Sequence, residues 1–194
     1  MGFRVIVITP EKNHPKEIEL ITFLFEGGLK ILHIRKPNFS EDEFRTYLQQ
    51  IPKKFYSKIV IHSHYKLAKE FSLKGIHLTE KARKLKRINT SYKIISTSFH
   101  AIEEVLKSRR NYKYVFLSPV FDSISKQGYK SNFNLKELKP FLEKRKNIIA
   151  LGGIDIENIK SIKQTGFAGA AVLGSIWESK NPVKNYKEIK THAD

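Results

Sequence analysis

Eight short runs rich in isoleucine and valine punctuate this chain of 194 residues, and stretches of helical periodicity separate them. The runs are RVIVIT (4–9), KILHIRK (30–36), KIVIHS (58–63), GIHLTE (75–80), YKIISTS (92–98), YVFLSPVF (114–121), NIIALGG (147–153) and GAAVLGS (169–175). They are near-continuously apolar rather than alternating, the pattern of a parallel strand covered on both faces. After the first run, Ile18, Ile21, Leu24 and Phe25 share one helical face that ends at Gly27 and Gly28. After the second, Ser40 and Glu43 make a capping box ahead of Phe44, Tyr47, Leu48 and Ile51. KLAKEFS, AIEEVLKS, NLKELKPFLEK, IENIKSIKQTG and NPVKNYKEIK carry the same periodicity, and only the segment after the fourth run is poorly helical. Eight strand–helix units predict an α/β fold, a single (β/α)8 TIM barrel over 1–194, rather than an open sheet. The chain is short for that fold, so its loops should be small.

Charge and residue usage narrow the chemistry. With no cysteine, disulfides, thiolate metal sites and cysteine nucleophiles are excluded. The net charge of +17 is what a nucleic-acid binder carries, but the densest basic cluster, EKARKLKR (80–87), is short and has no interleaved aromatics. A lysine-rich surface around a phosphorylated small molecule is the simpler reading. No apolar run reaches the roughly 18 residues that cross a membrane. The run in MGFRVIVITP is too short for a secretory signal, so a cytoplasmic protein without a membrane partner is expected.

In a (β/α)8 barrel the active site lies at the C-terminal ends of the strands. Those ends hold His33 and Arg35, His62 and His64, His77 and Thr79, Ser98 and His100, the stretch Ser118 to Lys126, then Gly152–Gly153 and Gly174–Ser175. Residues 148–177 contain five of the ten glycines. Loops after the last two strands of such barrels hold phosphate through backbone N–H groups, so Gly152, Gly153, Leu173 and Gly174 are expected to bind one. Tight turns and close helix–strand packing are the other use of the same glycines. The loop 118–131 carries Ser123, Ser125 and Lys126, and could close a lysine over an anion. His62 and His64 are two apart and would share a strand face, making a metal site with His77 or Glu80; polar lining of the barrel mouth is the plainer reading.

Together, EGGLKILHIRK, ISTSFHAIEEV, LSPVFDSISK, ALGGI and GAAVLGSI resemble the thiamine phosphate synthase/TenI family nearly end to end. Its synthases join a hydroxymethylpyrimidine diphosphate to a thiazole phosphate, and its TenI-type members are thiazole tautomerases. The resemblance implies that Arg35 meets the pyrophosphate or a substrate carboxylate and Lys126 the diphosphate. Ser98 would lie beside the reacting centre, and Gly153, Leu173 and Gly174 would hold the thiazole phosphate. His100 falls on the histidine that serves the tautomerases as acid and base. The synthases' metal carboxylates are replaced by Ser63 and Ala82, and their motif lysine falls on Pro37, next to Lys36. Mg²⁺ is implied for a synthase and no cofactor for a tautomerase. Because His100 is kept and both carboxylates are lost, the resemblance points to the tautomerase ahead of the synthase. A non-catalytic phosphate-ligand barrel stands as a further alternative, and a homodimer is compatible with each.

Overall fold

The computed structural model describes residues 2–84, 91–122 and 133–194. Every apolar run gives a strand, the fifth extending one residue past its run: β1 (Arg4–Ile8), β2 (Leu32–Ile34), β3 (Ile59–Ile61), β4 (Gly75–Leu78), β5 (Ile95–Phe99), β6 (Tyr114–Leu117), β7 (Ile148–Leu151) and β8 (Gly169–Val172). All are parallel and pair in chain order, and β8 closes on β1 from Arg4 opposite Gly169 to Val7 opposite Val172. The molecule is therefore a (β/α)8 TIM barrel. All the runs except the fifth outlast their strands at the C-terminal end, and those overhanging residues build the mouth.

The helices are α1 (Glu17–Glu26), α2 (Glu41–Gln50), α3 (Lys66–Glu70), α4 (Glu80–Arg83), α5 (Ile102–Lys107), α6 (Leu135–Lys144), α7 (Ile159–Thr165), α8 (Gly174–Trp177) and α9 (Pro182–Ala193). A 3-10 turn at Lys53–Lys58 leads into β3. The capping box forms as the sequence predicts, with the Ser40 hydroxyl accepting from the Glu43 amide and the Glu43 carboxylate accepting from the Ser40 amide. Ile21, Leu24 and Phe25 of α1 and Phe44, Tyr47 and Leu48 of α2 are buried against the sheet. Each such side chain contributes on the order of 1.5–3 kcal/mol.

The apolar residues form two layers. An outer core lies between strands and helices, and a smaller one fills the barrel interior with Ile6, Ile8, Val60, Tyr114, Phe116, Ile149 and Ala171. At the seam, Gly169 is required by close approach: a Cβ there would sit 2.3 Å from the Arg4 carbonyl oxygen. The short α8 was not visible in the Leu-Gly-Ser pattern, which reads as a strand end. It turns Trp177 inward, where the indole N–H donates to the Ile8 carbonyl at 2.7 Å, tying the last strand's extension to the first strand.

Beneath the mouth, Lys36 is fully buried, with Nζ 2.8 Å from a Glu17 carboxylate oxygen and 3.2 Å from the Lys12 carbonyl. The Tyr47 hydroxyl donates to the other Glu17 oxygen. Burial and the adjacent carboxylate push that phenol far above its ordinary range. Lys36 is thus held by the fold and does not stand in for the missing motif lysine.

Candidate active site

The strand ends converge on a cavity of about 710 Å³. One sector of its rim comes from β7 and β8, with Gly152, Gly153, Leu173, Gly174 and Ser175. The amides of Ile176 and Trp177 both bond the Leu173 carbonyl at 3.0 Å, so any anion here is met by donors earlier in the turn. Ser175 Oγ is buried and is among the side-chain atoms with no hydrogen-bond partner among the described residues. An unpartnered buried hydroxyl beside a glycine-rich turn suits a phosphate oxygen.

The glycine pair has a second use that the sequence reading placed only as an alternative. Gly153 has φ +63, and a Cβ on it would lie 2.2 Å from the Asp122 carbonyl oxygen. The bare Cα thus makes room for the chain's own β6–α6 connection, while the pair also lines the cavity.

A second rim sector comes from β1 and β2. The Arg35 amide donates to Thr9 Oγ1 at 2.9 Å, and its guanidinium pairs with Glu11, both side chains being about a third exposed, 35% and 40%. Lys12 also lines this side. Lys126, Ser123 and Ser125, singled out in the sequence, lie outside the described residues.

The floor holds a histidine cluster. His33 Nδ1 lies 2.9 Å from His62 Nε2, and His33 Nε2 lies 2.6 Å from the Tyr114 hydroxyl. His77 Nδ1 is 2.9 Å from Ser96 Oγ and its Nε2 is 3.0 Å from Ser98 Oγ. The rings of His62 and His77 stack, with centroids 4.2 Å apart. His33, His77 and Phe116 come from even-numbered strands and pack with centroids 5.0–5.4 Å apart, a side-chain layer of the kind that fills such barrels. Burial lowers the basicity of all three histidines; His33 and His62 also feel their neighbouring imidazoles, and the Arg35 charge acts on His62 and His77. His77 is pushed down to about 3, so the cluster is neutral at physiological pH. His62 and His77 reach the cavity, whereas His33 is fully buried beneath them and is not a pocket-lining residue.

His64 departs from expectation. β3 ends at Ile61, so strand parity does not carry on to residue 64. His64 takes a positive φ of 48, bonds the Phe39 carbonyl at 2.7 Å and packs on the Phe44 ring. Glu80 lines the mouth but is engaged by Lys84, whose Nζ lies 2.7 Å from its carboxylate. The anticipated His62–His64–Glu80 metal set therefore does not assemble. Among the described residues, the group of three that does converge is His33, His62 and His77, with ligand nitrogens within 4.8 Å of one another.

His100 sits at the mouth, its Nδ1 2.8 Å from the Ser118 carbonyl oxygen. A carbonyl can only accept, so Nδ1 carries the proton and Nε2 is left as the basic nitrogen. The His100 amide donates to Glu104 at 2.9 Å. Sequence reasoning missed Arg83, which donates to the Ser98 carbonyl at 3.0 Å and lies 4.1 Å over the Phe99 ring. Nothing in a short, charged helix such as α4 distinguishes that arginine beforehand.

A hard cation such as Mg²⁺ calls for carboxylate oxygens. The acidic groups lining the mouth are Glu11, paired with Arg35, and Glu80, paired with Lys84. By the family resemblance, Ser63 and Ala82 stand where the synthases carry their metal carboxylates. This donor set does not fit Mg²⁺.

A TIM barrel whose mouth combines glycine turns after β7 and β8 with an arginine at the next rim sector has the features of barrels that take phosphorylated small molecules. Residues 5–176 match the family model described as thiamine monophosphate synthase, and the chain belongs to that family. It superposes on the crystal structure of thiamine phosphate pyrophosphorylase from Bacteroides thetaiotaomicron with a TM-score of 0.85 and 34% identity, covering 99% of this chain and 98% of that one. It is 28% identical over 172 residues to the thiamine-phosphate synthase of Clostridium tetani, 84% of this chain and 81% of its relative. The match to the thiamine-phosphate synthase of Latilactobacillus sakei, 27% identical over 139 residues, spans 69% of this chain and less than two thirds, 62%, of that protein.

Proposed function

We propose that this chain is a transferase of thiamine biosynthesis that joins a hydroxymethylpyrimidine diphosphate to a thiazole phosphate. The observation that carries the reading is a single cavity with anion-receiving groups in two rim sectors, the Gly152–Gly153 and Leu173–Ser175 turns and the Arg35–Lys12 side. A reaction between two anionic substrates needs two such places. The names of the relatives support the transferase over the tautomerase that the retained His100 first suggested.

In this reading the glycine turns and Ser175 Oγ hold the thiazole phosphate, which fixes the thiazole ring over the cavity floor. The ring nitrogen attacks the methylene carbon that bears the diphosphate. The carbon–oxygen bond breaks and its electron pair leaves with the diphosphate. Arg35 faces the charge that builds on the leaving group, and the arriving diphosphate takes the place of Glu11 as its partner. Ser98, held by His77 Nε2, orients the ring beside the reacting carbon. By the family resemblance, Lys126 adds a second cation from the β6–α6 connection.

His100 favours a second reading, thiazole tautomerisation. Its protonated Nδ1 is fixed on Ser118 and its Nε2 is basic, which is the state a proton-transfer group needs. The deciding experiment supplies purified protein with both substrates and Mg²⁺ and measures thiamine phosphate. Product is the expected result. Absence of product with thiazole phosphate still bound would overturn the transferase; loss of tautomerase turnover in His100→Ala would then assign the second reading.

A further inference from the structure

We propose that His33, His62 and His77 form a binding site for a borderline divalent transition metal of the Zn²⁺ type, open to the cavity at its fourth position. The inference does not need the transferase reading, since it rests on three imidazoles and not on the anion-receiving rim.

Three imidazoles from β2, the end of β3 and β4 bring one nitrogen each within 4.8 Å of the others, and all three side chains are buried. A nitrogen-only donor set excludes Mg²⁺ and Ca²⁺ and suits Zn²⁺ or Co²⁺. Zn–N bonds of about 2.0–2.1 Å place tetrahedral ligand nitrogens roughly 3.3 Å apart. His33 Nδ1 and His62 Nε2, at 2.9 Å, need to open by only a few tenths of an ångström.

Outer partners are already in place for two of the three histidines, His33 and His77. Metal-bound histidines donate their second ring N–H to a fixed acceptor. With His33 Nδ1 on the metal, its proton sits on Nε2 and is donated to the Tyr114 hydroxyl oxygen, 2.6 Å away. His77 has a serine hydroxyl beside each nitrogen, Ser96 at 2.9 Å and Ser98 at 3.0 Å, so the nitrogen that does not bind keeps a partner whichever one binds. His62 and His77 line the cavity, so the fourth ligand is water or a substrate atom. Three protein ligands with one open position is the arrangement of a catalytic rather than a structural zinc site.

The test uses untagged full-length protein stripped with a chelator, given one equivalent of Zn²⁺ and desalted before metal analysis. About one zinc per chain should be retained, and X-ray absorption should show three imidazole nitrogens. His62→Asn and His33→Gln, checked for folding by circular dichroism, should weaken retention by roughly tenfold or more, and His64→Asn should leave it unchanged. Retention that survives both substitutions, wild-type protein that keeps no zinc, or an absorption spectrum with fewer than three imidazoles would each overturn the proposal. The spectrum of the wild-type protein decides the matter if a variant does not fold.

Discussion

His62 and His77 lie ring on ring, with centroids 4.2 Å apart and planes 18° from parallel, brought together because β3 and β4 pair with Ile61 opposite Ile76. Two imidazoles held this closely in a buried setting cannot both take a proton cheaply. In the unfolded chain each protonates near 6.5; in the folded, metal-free chain His77 does so only at about 3, and His33 and His62 are also displaced well downward. The unfolded state therefore binds more protons over that interval, and stability falls as pH drops below 6.5. The slope approaches about 1.4 kcal/mol per pH unit for each histidine. Urea titrations from pH 7.5 to 5 in chelator should show it, and His77→Gln should flatten it; a pH-independent midpoint would contradict the arrangement.

The buried Lys36–Glu17 pair is expected to stabilise only as a pair. Lys36→Met leaves the buried carboxylate with the Tyr47 hydroxyl and the His14 amide but without its cation, and should cost about 3–5 kcal/mol. Glu17→Gln in the same chain should recover a good part of that loss. Thermal melts of the single and double variants measure it, and simple additivity would be the unexpected result.

Gly153→Ala should destabilise the chain by about 1–3 kcal/mol, since the residue has positive φ and the new Cβ would press on the Asp122 carbonyl. If the glycine turns hold the thiazole phosphate, its affinity for the protein should fall as well. Calorimetry with thiazole phosphate separates the two effects.

Arg35→Gln removes the cation next to Glu11 and should weaken the diphosphate-bearing substrate by about 1.5–3 kcal/mol, or roughly 10- to 150-fold in affinity. The affinity for thiazole phosphate should change little. An equal loss for both ligands would mean that the two rim sectors are not separate sites.

Much of the barrel was readable in advance because each strand is a compact apolar run and each flanking helix repeats its apolar residues at helical spacing. The glycine turns and Arg35 were readable because the fold assigns strand ends to the mouth. What escaped the sequence depends on contacts between neighbouring elements. His33 and His62 meet although 29 residues separate them, and no local spacing encodes that. His64 was misjudged because the parity argument requires a strand, and β3 stops at Ile61. Lys36 follows Arg35 in the sequence, but its partner is Glu17, which helix α1 brings underneath it. Arg83 and Glu11 gave no signal, since charged residues in short connecting segments look alike until folding aims them.

Trp177 is the one tryptophan in the sequence, and its indole N–H rests on the carbonyl of Ile8. The seam between first and last strands thus carries its own optical label. A change in intrinsic fluorescence reports whether the ring of strands has closed, so the slow, long-range step of folding can be followed in the unmodified protein, without any dye or engineered probe.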